Sequence, residues 1–164
     1  MQTGLEKEFL DLLNQNIGIV HRVCLIYFRN DPALREDTRQ EIIYQLWKSY
    51  PNFRSQSKFS TWMYKVSLNT ALAALREKKR IPDSEPWQIR YDNIPDHPLP
   101  TDEIGLLYDA IASLSAIDKA LILLYLEENT YDEISGIVGL SKTNVSVRLV
   151  RIKRELEKKL KKNN

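Results

Sequence analysis

A chain of 164 residues, 43% hydrophobic and 28% charged, has ordinary globular make-up, and its length fits one large domain or two small ones. A single cysteine, Cys24, excludes an internal disulfide framework, and the longest apolar run, Ala120 to Leu126, covers seven residues, too few for a membrane-spanning helix. The net charge of +2 conceals a segregation: residues 1–80 hold 13 basic and 8 acidic side chains, residues 81–104 hold 1 and 6, and residues 140–164 hold 9 and 2. Two basic ends joined by an acidic segment point to two anion-binding surfaces, with nucleic acid the commonest partner. No continuous apolar core of a signal peptide opens the chain, so a cytoplasmic protein is expected.

Five glycines and apolar residues at helical rather than alternating spacing predict an all-α protein. The first helix is expected from about Leu5 to Phe28, burying Phe9, Leu12, Leu13, Ile17, Val20, Cys24 and Tyr27. Within that stripe Cys24 reads as a small hydrophobe rather than a nucleophile. Asp31 suits an N-cap and Pro32 a first helical position, so a second helix runs from there to about Tyr50. Residues 53–58 form a polar loop. A third helix follows, its inward stripe read as Phe59, Trp62, Met63, Val66, Thr70 and Ala73, and it ends in the basic run Arg76 to Arg80. Five of the seven prolines fall between Pro82 and Pro100, together with most of the acidic excess. Residues 81–101 are therefore expected as an extended linker between a domain over 1–80 and a domain over 102–164.

Beyond the linker, a helix is expected over 102–113, and Ser115 with Asp118 caps the next. Thr130 and Glu133 form a capping box, Gly139 permits the positive φ that ends that short helix, and Ser141 caps the last one. In the last helix Val145, Leu149, Ile152 and Leu156 recur at spacings of four, three and four, so they face inward. A short helix, a tight turn and a basic second helix make a helix-turn-helix, with the second helix as groove reader. A helical hairpin with a solvated basic tail is the alternative that this stretch alone leaves open.

The chain carries no recognisable catalytic chemistry. His21 and His97 have no partners at metal-ligand spacing, and there is no glycine-rich phosphate loop or nucleophile elbow. No catalytic residue, metal or cofactor is expected. The apt class is a binding protein.

The run Asp37-Thr38-Arg39-Gln40-Glu41 through Leu46-Trp47, then Phe53-Arg54-Ser55 and Phe59 through Thr70, resembles sigma domain 2 of the extracytoplasmic-function (ECF) sigma factors, members of the sigma-70 family. Ser113 to Leu160 resembles sigma domain 4 of the same family, and the two halves stand in the family's order. The resemblance implies two small helical domains that bind bacterial core RNA polymerase, through its β′ clamp and β, and promoter DNA in duplex and single-stranded form. It implies that Asp37, Gln40 and Glu41 dock the β′ clamp. It places Phe53, Arg54, Ser55, Gln56, Ser57 and Lys58 in the loop that takes an extruded base of the −10 element, with Lys65, Asn69 and Arg76 on the same strand. It assigns the −35 element to Lys142, Thr143, Asn144, Ser146, Val147, Val150, Arg151 and Arg154. An anti-sigma factor is the further partner it implies, and membrane insertion is not.

Three departures from the family's pattern stand out. Thr38-Arg39 replaces a commonly apolar pair, Ser55 stands where the loop usually has glycine, and Ser146-Val147 stands where the family often has lysine followed by serine. The last departure shifts −35 readout toward DNA shape and thymine-methyl contact, with Arg151 left as the guanine reader. The competing reading, an autonomous helix-turn-helix regulator that binds duplex DNA as a dimer, leaves the N-terminal constellation without a purpose.

Overall fold

The computed structural model describes residues 3–80 and 102–162, and among these the regular structure is entirely helical. The whole of the expected linker, residues 81–101 with His97, lies outside the described residues. The order is α1 (Gly4–Gln15), α2 (Ile17–Tyr27), α3 (Pro32–Ser49), a 3₁₀ turn (Tyr50–Asn52), α4 (Phe59–Arg80), α5 (Asp102–Ala112), α6 (Ala116–Leu126), α7 (Tyr131–Val138) and α8 (Lys142–Lys162).

The single helix expected over residues 5–28 is two helices. Asn16 breaks it: the side-chain Nδ2 donates to the Leu12 carbonyl at 2.9 Å and the backbone N–H turns to Leu13 at 3.1 Å. An asparagine that satisfies backbone carbonyls itself offers the chain an alternative to the helical ladder. Val20 and Val23 behind the break are fully buried, and Cys24 is 2% exposed. Burial pushes the Cys24 thiol up to about 12, which leaves it protonated and inert.

The inward face of α4 also differs from expectation. Met63, Tyr64, Ser67, Leu68 and Ala71 are buried, whereas Ala73 is exposed and Trp62, Val66 and Thr70 are half-buried. The buried arc is turned by about a third of a revolution, because α4 packs against α2 and α3 together. On α3 the wedge residues are Ile42 and Leu46, both fully buried, with Thr38 at 2% exposure. The Thr38 hydroxyl is sealed there without a hydrogen-bond partner. Thr38→Val keeps the shape and removes the orphaned group, so unfolding experiments should show a gain of about 1 kcal/mol. A loss of stability would mean that the hydroxyl is satisfied in solution.

The C-terminal helices close a second core around α8. Val145, Leu149 and Ile152 are fully buried and Leu156 nearly so, as their spacing requires. α6 ends in a Schellman motif: the Asn129 N–H bonds the Leu124 carbonyl at 3.1 Å and the Glu128 N–H bonds Tyr125 at 3.0 Å. Glu128 holds the left-handed position, φ 65°, where glycine is usual.

The two helix groups touch. α2 packs on α5 and α6, and α4 on α7. The contacts are anchored by single polar side chains from α2 and its exit. The Tyr27 hydroxyl donates to the Ala116 carbonyl at 2.6 Å, Arg29 Nε to Asp109 at 2.9 Å, and Arg22 Nη2 to Glu127 at 3.0 Å. Arg35 completes the α2 exit by donating to the carbonyls of Phe28 (3.0 Å) and Arg29 (2.9 Å).

Candidate nucleic-acid interface

Three surfaces carry the residues singled out in the sequence. The first is the α7–α8 unit. Its entry is fixed by a complete capping box, Glu133 N–H to Thr130 Oγ1 and Thr130 N–H to Glu133 Oε1, both 3.1 Å. The Thr130 amide, with help from Lys58 and Thr61 across the helix groups, holds the Glu133 carboxyl below the usual carboxylate range. Gly139, at φ 77°, reverses the chain, and the Ser135 hydroxyl donates to the Leu140 carbonyl at 2.5 Å to tighten the turn. Ser141 Oγ then accepts the Asn144 N–H at 3.1 Å and opens α8.

With its apolar stripe buried, α8 presents the opposite face to solvent. Lys142, Thr143, Asn144, Val147, Val150, Arg151 and Arg154 are exposed, and Ser146 is half-buried. Val147 is 64% exposed, which is unusual for an aliphatic side chain with no packing partner and fits a methyl-contacting role in a groove. Lys142 pairs at 3.4 Å with Asp132 at the start of α7, in an exposed contact of little energetic weight. Arg148, by contrast, turns back toward α6. Its Nε donates to Asn144 Oδ1 at 3.2 Å, and its Nη1 lies 3.3 Å from Asp118 Oδ1.

The second surface is the loop after the 3₁₀ turn. Four rings form a box under it: Phe53 lies 5.0 Å from Trp62, 5.8 Å from Phe59 and 6.3 Å from Tyr50, the last pair nearly parallel. Beside the box opens a pocket of about 400 Å³ lined by Phe53, Ser55, Ser57, Phe59 and Tyr50, closed on its far side by Leu5, Glu8 and Leu12 of α1. An aromatic floor with polar lips suits a planar base. The contribution of α1 was missed from the sequence, which carries no local signal of it; in the structure Leu5 stays 44% exposed. Arg54 and Gln56 project from the loop into solvent, and Lys58 turns away toward Glu133 and lines a separate polar pocket between the helix groups.

Ser55 adopts φ 55°, the left-handed conformation that its usual glycine counterpart takes without strain. Ser55→Gly should therefore raise stability by several tenths to about 1 kcal/mol in a thermal melt, since relief of strain exceeds the added chain entropy. A lower melting temperature would contradict the strained backbone. Along α4, Lys65, Asn69 and Arg76 are all exposed and fall within about 40° of one another around the helix axis. Asn69 makes no side-chain hydrogen bond among the described residues, so its donor and acceptor are both available.

The third surface is the outer face of α3. Asp37, Gln40 and Glu41 are exposed on one face, with Gln40 bonded to Glu36 at 3.3 Å and Gln45 to Glu41 at 2.8 Å. Tyr44 lies on that face one turn further, 55% exposed, and Trp47 follows at 36%. Neither aromatic was assigned to this surface from the sequence, where Trp47 reads as partly buried, because a helix aromatic is read first as core. Among the described residues, no cluster of His, Cys, Asp and Glu could hold a metal ion, and no helix is long and apolar enough to cross a membrane.

Against known proteins, residues 12–81 match the Sigma-70 region 2 family and residues 104–156 match the Sigma-70, region 4 family. The RNA polymerase sigma factor SigV of Bacillus subtilis is 31% identical over 135 residues, covering 80% of this chain and 78% of that protein. The ECF RNA polymerase sigma-E factor of Haemophilus influenzae is 27% identical over 175 residues, covering 98% and 91%. Among solved structures, the sigma factor RpoE from Bartonella quintana, crystallised with the anti-sigma factor NepR, superposes with a TM-score of 0.76 at 20% identity, over 94% of this chain and 98% of that one.

Proposed function

The chain belongs to the extracytoplasmic-function subfamily of the sigma-70 factors, and from that we propose how its three surfaces divide the work of transcription initiation. As a sigma factor it binds core RNA polymerase, recognises promoter DNA and directs initiation; it acts by binding and is not an enzyme.

In this division the outer face of α3, with Asp37, Gln40 and Glu41, docks the β′ clamp of the polymerase. The loop over 53–58 and the aromatic box capture a base from the −10 element, and Lys65, Asn69 and Arg76 guide the strand beyond it. Opening costs a few kcal/mol per extruded base, about what stacking on such a box offsets. The exposed face of α8 enters the −35 duplex, with Lys142, Thr143 and Asn144 near phosphates at the helix N-terminus and Arg151 on a base edge. Residues 1–80 form the first domain, 81–101 the acidic linker and 102–164 the second domain. The protein works in the cytoplasm. An anti-sigma factor holds it, as NepR accompanies the similar RpoE of Bartonella quintana.

The observation that carries this reading is the matched pair: region 2 and region 4 lie in order on the helix groups bearing the aromatic box and the basic reader helix. The test is run-off transcription from genomic promoter fragments by core polymerase reconstituted with the protein. Discrete promoter-dependent transcripts are expected. Their absence, together with tight duplex binding by the protein alone, would favour an autonomous regulator instead.

A further inference from the structure

We propose that Asp118 is a positioning residue for base recognition, holding Arg148 in place and steering Arg151 on the exposed face of α8. This rests on the reading of α8 as the −35 reader. Asp118 lies in the first turn of α6, where its backbone N–H is capped by Ser115 Oγ at 3.3 Å. Its side chain is 12% exposed and points across to α8. One carboxylate oxygen lies 3.3 Å from Arg148 Nη1, and the other lies 3.9 Å from Arg151 Nη2.

Arg148 is fixed at two points, by Asp118 and by Asn144 Oδ1 at 3.2 Å, and Asn144 is itself seated on the Ser141 cap. A continuous polar chain thus runs from the turn, along the first turns of α8, to the carboxylate of α6. Arg148 is engaged inward and is not available as a loose cation. Arg151 is 65% exposed and remains free to reach DNA, but its guanidinium leans toward Asp118.

A long, unrestrained arginine meets a phosphate as readily as a guanine edge. A carboxylate beside it narrows its rotamers and repels phosphate oxygens from the same spot, while guanine O6 and N7, which are neutral, are repelled far less. Asp118 therefore lowers general affinity for DNA and raises discrimination. A merely structural aspartate at a helix N-terminus would leave discrimination unchanged, and that difference makes the role testable.

The experiment uses holoenzyme assembled from core polymerase and either the native chain or Asp118→Asn, which keeps size and position. Binding is measured at several salt concentrations to promoter duplexes with each −35 position changed singly, and to a duplex of unrelated sequence. Asp118→Asn should bind the unrelated duplex more tightly, with the salt slope steeper by about one ion. Discrimination should fall about fivefold at the −35 position that Arg151→Ala also affects, and the double variant should lose no more there than Arg151→Ala alone. Unchanged discrimination would overturn the proposal, as would a uniform weakening on every duplex that tracks a lower melting temperature. If the native holoenzyme itself distinguishes no −35 position, the assignment of α8 fails and the role of Asp118 falls with it.

Discussion

Tyr44→Ala should weaken association with core RNA polymerase about thirtyfold, a loss of about 2 kcal/mol, while the melting temperature stays within a degree or so of the native value. The tyrosine is 55% exposed, so its removal takes little from the core of the helix group. It sits one turn along α3 from Gln40 and Glu41, which are exposed beside it. Polar and charged groups at an interface set orientation and encounter rate, whereas a rigid aromatic surrounded by them supplies most of the binding energy. Gln40→Ala with Glu41→Ala should accordingly reduce affinity less than Tyr44→Ala and slow association more. A competition assay against a labelled sigma subunit separates the two. Native affinity in the Tyr44 variant would remove the outer face of α3 from the polymerase contact.

Arg151→Ala should cost about 1–3 kcal/mol of discrimination at a single −35 base pair, that is, from about fivefold to about 150-fold, with little change at its neighbours. Lys142→Ala should behave oppositely, lowering affinity for all duplexes alike and reducing the salt slope by about one. The contrast follows from geometry. Lys142 stands at the first position of α8 and pairs only with an exposed aspartate, as a phosphate-facing cation would. Arg151 lies about two and a half turns into the helix, between Val147 and Val150 on one side and Arg154 on the other. A transcription assay on single-base promoter variants gives the pattern directly. Equal losses at every position for Arg151→Ala would make it a phosphate contact and leave base readout to Ser146, Val147 and Val150.

Much of the C-terminal half was legible because each helix start and stop has a local chemical cause. Thr130 with Glu133, Ser115, Gly139 and Ser141 all do in the structure what their side chains predict, and the four-residue stripe of α8 is buried throughout. The N-terminal half was less so. A one-residue break at Asn16 leaves the apolar spacing almost in phase, so two helices read as one. The face of α4 was misplaced because two neighbours, not one, define it. The pocket wall from α1 and the carboxylate facing Arg148 were hidden for another reason: Leu5 to Tyr50 and Asp118 to Arg148 are tertiary neighbours, and no local pattern records such pairs. Among the departures noted at the outset, two acquired a physical form, Thr38 as a sealed hydroxyl and Ser55 as a left-handed serine.

The side chains that tie the helix groups together bear on how the chain is made. α2, α3 and α4 pack on one another, and α1 joins them through Phe9, whose ring lies 5.1 Å from Trp47 and 5.2 Å from Tyr50. The core of the N-terminal group therefore draws only on residues that leave the ribosome first. Tyr27, Arg29 and Arg22 find their acceptors in Ala116, Asp109 and Glu127, some 80 to 105 residues later. Until those emerge, the same three donors have only water to bond on that side. Synthesis can thus proceed vectorially, with the first helix group formed before the second is complete and the polar anchors closing last.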